Sequence, residues 1–392
     1  MAASTPSGEY EAIAIIGDEV QAFVPAPLPP SPSPSLCEGI SSPKVQRLYE
    51  QALLGLGRLA EVQALLPRPA LMVEAFAQKE AVVSTQIEGT TARVKDMLLA
   101  DAAGKPDAPD EDVRAVQGYI RALHDGLAAV AAGRNITPAL LNDLHGVLMA
   151  GSADAHTGRF RTEPNWVDGR RPRDATFVPP HNRHVPRLMN ELCAFLKRNG
   201  GPPVLLKSAM AHAQFETIHP YTDGNGRLGR LLIPMILRQE ALEQVSLLFV
   251  SLYFKQHRSA YVRHLQRIRT HGEWDKWFEF FLRAIAEVAH TAVDTAHRLD
   301  ALFRSDRARI ESAGGRRQAS LLRVHDALQT AAIGSIAGLM ESTGLSRPTV
   351  TDGVQQLTEL GIVEETTGAR YSQLFAYRDF IRILDEGTEV GP

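Results

Sequence analysis

Between Ile218 and Arg230 one stretch, Ile-His-Pro-Tyr-Thr-Asp-Gly-Asn-Gly-Arg-Leu-Gly-Arg, gathers an imidazole, a carboxylate, flexible glycines and two guanidiniums. Gly224 and Gly226 permit positive φ and close backbone approach, the ingredients of a nest that cradles phosphate. A helix beginning there would add unsatisfied N–H groups and a dipole that favour an anion. Arg227 and Arg230 lie three apart, on neighbouring positions of one helix face. Two cations in a first turn are opposed by the helix dipole, so a compensating anion is expected. His219 beside such a nest, with Asp223 four residues on, suits a general base next to a metal-bound phosphate.

The flanking elements must position these groups. Val204 to Ile218 reads as a helix, with Leu205, Leu206, Met210, Ala213 and Phe215 on its apolar side. Pro220 disfavours α conformation at His219 and should end that helix. Leu228, Leu231, Leu232, Met235 and Ile236 recur at helical spacing and start a second helix near Gly226. Asp-Gly and Asn-Gly also mark hairpin turns, but both flanks here are helical. Upstream, Pro69 to Glu88 reads as another helix, opened by a proline suited to a first position and stopped by Gly89. Ser84 and Glu88 stand one turn apart on one face. A glutamate in a last turn is opposed by the dipole, which predicts a cation facing it; alone, the segment reads as a solvated surface carboxylate. Asn165-Trp166-Val167 and Ala175-Thr176-Phe177-Val178 have strand character, joined by the polar loop Asp168 to Asp174 and closed by Pro179-Pro180.

The long stretch closely resembles the signature of the Fic family, His-Pro-Phe-x-Asp/Glu-Gly-Asn-Gly-Arg-x-x-Arg, with Tyr221 where phenylalanine is usual. Tyrosine keeps the ring shape and asks its hydroxyl to find a partner. The resemblance implies transfer of AMP from ATP to a Ser, Thr or Tyr hydroxyl of a protein, itself included, with release of pyrophosphate. Carried over, His219 takes the hydroxyl proton and Asp223 holds Mg²⁺ against the phosphates. Gly224, Asn225 and Gly226 line the anion hole, Arg227 contacts the phosphates and Arg230 holds the γ-phosphate. Such phosphoryl chemistry rests mostly on positioning and charge neutralisation. Ser84, Glu88 and Gly89 resemble the inhibitory motif that some Fic proteins carry on an N-terminal helix, in which the glutamate pairs with the second arginine, here Arg230. In the same resemblance Asn165, Trp166, Thr176, Phe177 and Val178 form a flap that registers the target by strand addition. Ser251-Leu252-Tyr253, Tyr261 and Trp274-Asp275-Lys276-Trp277 resemble the closing helices. Tyr261 is a candidate for the adenine pocket, although an aromatic at helical spacing is more often core.

A chain of 392 residues should make two or three domains. Its net charge of −3 implies no strong attraction to nucleic acid or membrane. Two cysteines, Cys37 and Cys193, point to a reducing compartment. With neither a signal peptide nor a bilayer-spanning apolar run, a cytoplasmic protein without membrane contact is expected. Residues 24–35 are Pro/Ser-rich and extended. Near the C-terminus, helical segments at about Ser320 to Gln329, Ser335 to Ser342 and Arg347 to Leu360 precede two strand candidates, Ile362-Val363-Glu364 and Leu374 to Tyr377. That order resembles a winged-helix domain. From Arg316 to Pro392 seven arginines and no lysines face ten carboxylates, a poor electrostatic footprint for DNA. Its partner is left open between DNA and protein, a second copy of the chain included.

The expected architecture is mainly α: an extended arm (1–45), an N-terminal helical region with the inhibitory helix (46–120), a Fic core with a β-hairpin flap (121–300) and a winged-helix domain (316–385). Two alternatives accompany the adenylyltransferase reading. One is an enzyme that uses Glu88 to remove AMP; the other is a DNA-binding regulator with a vestigial core.

Overall fold

The computed structural model describes residues 6–29, 42–65, 69–103, 111–151, 157–197, 201–240, 242, 248–313, 315–368 and 373–389. Cys37, residues 30–35 of the Pro/Ser-rich stretch and residues 369–372 of the expected C-terminal hairpin lie outside them. In chain order the elements are β1 (Gly8–Ile15), β2 (Asp18–Pro25), α1 (Pro43–Leu65), α2 (Pro69–Ile87), α3 (Val94–Ala103), α4 (Glu111–Ala131), α5 (Pro138–Leu148), α6 (Val185–Lys197) and α7 (Val204–Ile218). There follow α8 (Asn225–Gln239), α9 (Ser251–Gln256), α10 (Arg258–His271), α11 (Trp274–Ala313), α12 (Gln318–Ala331), β3 (Ile333–Ser335), α13 (Ile336–Thr343), α14 (Arg347–Glu359), β4 (Val363–Glu365), β5 (Leu374–Tyr377) and α15 (Arg378–Asp385). The fold is mainly α, as expected. Among the described residues no helix is long and apolar enough to cross a membrane.

The chain divides into two compact units, Met1–Arg58 with Gly118–Ala289, and Leu59–Gln117 with His290–Pro392. The expected regions 46–120, 121–300 and 316–385 are grouped otherwise here: Leu59–Gln117, which includes α2, clusters with His290–Pro392. A second difference is the N-terminal arm: residues 8–25 form an antiparallel β-hairpin, in register from Gly8↔Pro25 to Ile15↔Asp18. Alternation explains it. Ile13, Ile15 and Ala22 are buried with Val178, and Val20, Trp166 and Ala175 pack on them, while Tyr10 and Phe23 meet edge to face on the opposite face.

In the first unit α7 is buried along almost its whole circumference, polar Lys207, Ser208, His212 and Gln214 included, so its sequence is not striped. Trp277, fully buried, donates its indole N–H to Ala209 O at 2.9 Å, and Phe254 stacks on Tyr261 at 4.7 Å. Gly229 brings α8 against α7, since a Cβ there would stand 3.1 Å from the Phe215 ring. Thr137 caps α5, accepting from Leu140 N at 3.2 Å, with Pro138 opening the helix. Gly118 on α4 lets the end of α5 approach closely, because a Cβ would meet Leu148 O at 2.4 Å.

In the second unit a three-stranded antiparallel sheet, ordered β3-β5-β4, lies with α12, α13 and α14. The buried Tyr377 hydroxyl donates to Asp306 Oδ2 at 2.7 Å. Ser335 caps α13 through Gly338 N. Arg304 to Ala313 is the end of the long helix α11. Lys79 of α2 donates to Glu386 O at 2.7 Å, and Arg298 pairs with the Glu386 carboxylate at 2.6 Å. The helix expected to be inhibitory is thereby tied to the turn after α15.

Replacing Gly118 by alanine should force α5 off α4. We expect Gly118→Ala to lower stability by about 1–3 kcal/mol, as overpacking does, read as a lower urea midpoint. An unchanged midpoint would show that this close approach carries no strain.

Candidate functional site

The motif occupies the connection between α7 and α8. Helix α7 ends at His219, whose backbone is left-handed (φ 49°, ψ 61°) and whose N–H returns to Phe215 O at 2.9 Å. A left-handed non-glycine residue costs about 1–2 kcal/mol. Arg161 offsets it. Its Nε donates to His219 O at 2.9 Å, its Nη1 to Glu163 O at 3.0 Å, its Nη2 to Pro180 O at 2.5 Å, and its backbone N–H to Pro220 O at 2.9 Å. Only 4% exposed, Arg161 makes these bonds to neutral carbonyls. Burial pushes its pKa down to about 10, so it stays charged at neutral pH.

Tyr221 is fully buried. Its hydroxyl meets Asn142 Oδ1 at 2.9 Å, the partner that its departure from phenylalanine requires. Its ring stacks on His145 with centroids 3.8 Å apart and planes 5° from parallel. His145 Nδ1 accepts from Gly158 N at 2.9 Å, so Nε2 carries the hydrogen that goes to Asp223 O at 3.0 Å. Asn225 closes the loop with both ends of its amide: Tyr221 N donates to Oδ1 at 2.9 Å and Nδ2 donates to Tyr221 O at 2.8 Å. The side-chain amide thus holds the loop.

Helix α8 then opens at Asn225 with Gly224 left-handed (φ 76°) before it. A Cβ at Gly224 would lie 2.8 Å from Met149 Sδ and 3.2 Å from His145 Nε2, so both conformation and space demand glycine. Gly224, Gly226, Arg227 and Arg230 are thus brought together at one helix N-terminus. Asp223 accepts from Gly224 N at 2.6 Å and pairs with Arg227 at 3.2 Å, its carboxylate 63% exposed. Arg230 is 2% exposed. Beneath them His212 Nδ1 donates to Gly229 O at 2.9 Å, and Nε2 accepts from the Tyr261 hydroxyl at 2.9 Å. Burial drives the His212 pKa down to about 3, which keeps it neutral.

Tyr261 is therefore core: 6% exposed, bonded to His212 and stacked on Phe254. This corrects its candidacy for a nucleotide pocket. The flap is likewise less regular than expected. Instead of paired strands it has a single bridge, Val167↔Phe177, around a 3₁₀ turn at Pro172–Asp174. The reason is a competing partner, since Val178 O accepts from Phe23 N of β2 at 3.0 Å. Phe177 and Val178 are buried, Trp166 packs on the hairpin, Thr176 is exposed, and Asn165 Nδ2 reaches Thr222 O at 3.3 Å. Ser84 is buried in α2; Glu88 lies in the turn after it, N–H to Thr85 O at 2.9 Å, with Gly89 at φ 105°. Arg161, His145 and Asn142 were not singled out from sequence, because each reads there as an ordinary helix or turn residue.

The geometry agrees with comparisons to known proteins. Residues 135–237 match the Fic/DOC family and residues 46–128 match the Fic/DOC family N-terminal region. Over these two segments the chain resembles the Fic/DOC family. A probable protein adenylyltransferase of Aquifex aeolicus is 40% identical over 72 residues, 18% of this chain and 22% of that protein. A protein adenylyltransferase Fic of Nematostella vectensis is 25% identical over 264 residues, 64% of this chain and 57% of that protein. The chain therefore spans about a fifth to under three fifths of these relatives. A Fic family protein structure from Desulfovibrio desulfuricans superimposes with a TM-score of 0.56 at 25% identity, over 86% of this chain and 96% of that one.

The Fic loop depends on the Asn225 amide. Asn225→Ala would strand the buried N–H and C=O of Tyr221, at about 1–3 kcal/mol for each unsatisfied group. We expect a lowered unfolding midpoint, with Asn225→Asp losing about half as much because it keeps the acceptor. Equal stability in all three proteins would refute the assignment.

Proposed function

We propose that this chain is a protein adenylyltransferase that moves AMP from ATP to a protein hydroxyl, itself included. The observation that carries the reading is the connection 219–230, with an imidazole at the end of one helix and two buried arginines in the first two turns of the next. The target hydroxyl attacks the α-phosphorus while His219 takes its proton. The bond from that phosphorus to the α,β-bridging oxygen breaks, and pyrophosphate leaves. Gly224 and Gly226 let the phosphates approach the backbone, and Arg227 and Arg230 neutralise their charge.

A divalent cation, Mg²⁺ by expectation, fits the donor set on one condition. Among the described residues no group of three potential ligands gathers. A single exposed carboxylate, Asp223, suits the way Mg²⁺ binds through one or two carboxylates plus substrate phosphates. When bound, the ion would neutralise phosphate charge. Arg227 must share Asp223 with it.

The inhibitory reading belongs to the same proposal. Glu88 follows the buried Ser84 at the end of α2 and precedes Gly89, and Arg230 is the guanidinium that the family pattern pairs with it. We infer that Glu88 competes with the γ-phosphate for Arg230. The elements from α12 to β5 follow the order of a winged helix, and their acidic balance favours a protein partner over DNA.

Incubation of the pure chain with ATP labelled at the α or the γ phosphorus tests the reaction. Label should stay on protein only from the α position, and folded His219→Ala should lose it. γ-label retention, or near-normal α-labelling by His219→Ala, would refute the reading. Glu88→Gly should raise α-labelling ten- to a hundredfold, because a charged hydrogen bond of about 1.5–3 kcal/mol no longer competes. Equal or lower labelling would make Glu88 a spectator or a participant, as AMP removal would require.

A further inference from the structure

The first unit holds a cleft of about 420 Å³ between the N-terminal hairpin, the flap and α10. Tyr10, Gln21 and Phe23 line it from one face of the hairpin, Phe177 from the flap, and Gln266 and Arg269 from α10. Arg269 is 6% exposed, and its Cζ lies 3.6 Å above the centroid of the Phe177 ring. Among the described residues its Nε has no hydrogen-bond partner, nor does Oε1 of Gln266 three residues earlier on the same helix face. Glu216, Tyr261 and Tyr10 act on Arg269 through charge, and desolvation outweighs them, bringing its pKa down to about 10. It remains a cation at neutral pH.

A buried charge is normally paired and hydrogen-bonded. Here Glu216 acts only through charge, and the unpartnered Nε of Arg269 adjoins a ring face and an open cleft. The guanidinium fork matches a carboxylate in bidentate geometry, and the Tyr10, Phe23 and Phe177 rings suit an aliphatic stem. Glu19 at the same cleft disfavours a dianionic phosphate. The cleft also adjoins the flap, with Thr176 and Phe177 in its wall.

We propose that this cleft is a specificity subsite that takes a glutamate or aspartate side chain of the target protein beside the modified hydroxyl. The role as a target subsite rests on the adenylyltransferase reading; the carboxylate recognition does not. N-acetylglutamate amide and N-acetylglutamine amide, titrated separately into the full chain and followed by methyl NMR at Val20 and Val178, test the recognition. The acid should bind at least tenfold tighter than the amide, as a charged hydrogen bond implies. Arg269→Gln should abolish that preference. So should Gln21→Trp, which fills the cleft from an exposed strand position and serves where Arg269→Gln fails to fold. Equal affinity for both probes, or an unchanged preference in the variants, would overturn the proposal.

A second arm compares α-label transfer to serine peptides bearing glutamate or glutamine at each neighbouring position. A glutamate preference in wild type that vanishes in Arg269→Gln supports the subsite, and transfer without such a preference overturns its role in target choice. Absence of any α-label transfer would overturn the adenylyltransferase reading while leaving the binding result to decide whether the cleft recognises carboxylates.

Discussion

The first unit depends on one constraint: the chain must leave a helix left-handed at His219 and enter the next at Asn225 with two arginines in its first two turns. Both ends are unfavourable taken alone. The left-handed histidine costs backbone energy, and the arginines oppose the helix dipole. The surrounding structure over-determines the loop. Arg161 grips the carbonyl of His219, Asn225 brackets both backbone groups of Tyr221, and the Tyr221 ring is stacked on His145. Strain persists at such sites only where neighbours hold it.

These supports are buried polar groups whose protonation is fixed by their partners. His145 gives a hydrogen to Asp223 O and receives one from Gly158; His212 does the same between Gly229 and Tyr261. Arg161 keeps its charge among carbonyls alone. Fully satisfied buried networks of this kind rigidify a site, and a rigid site suits chemistry that works by positioning. Cys193, buried with its thiol pKa raised to about 12, takes no part in it.

The two compact units divide the labour suggested by the motifs. The Fic loop, flap and N-terminal hairpin lie in the first, while α2 with Ser84 and Glu88 lies in the second. Lys79 and Arg298 both converge on Glu386, so α2, which stops just before Glu88, shares a hydrogen bond with the segment after α15.

The sequence by itself made the local elements legible and marked the residues that could do chemistry. Apolar residues such as Leu205, Met210 and Phe215 set α7 and periodic leucines set α8, Pro220 stopped the first of them, and Gly224 followed from the turn that must join them. The twelve-residue motif marked His219, Asp223 and both arginines because their types and spacing are local. The helices and strands of the C-terminal module were legible for the same reason. Tertiary structure decided what depends on distant partners. Residues 8–25 became a hairpin because one face found Val178 and Trp166, and the flap lost its second strand because Val178 turned its carbonyl to Phe23. Tyr261 became core through His212, and Asn225 became a staple through Tyr221. Arg161, His145 and Asn142 carry no local signature; each acquires its role only from a loop that packing brings to it from tens of residues away.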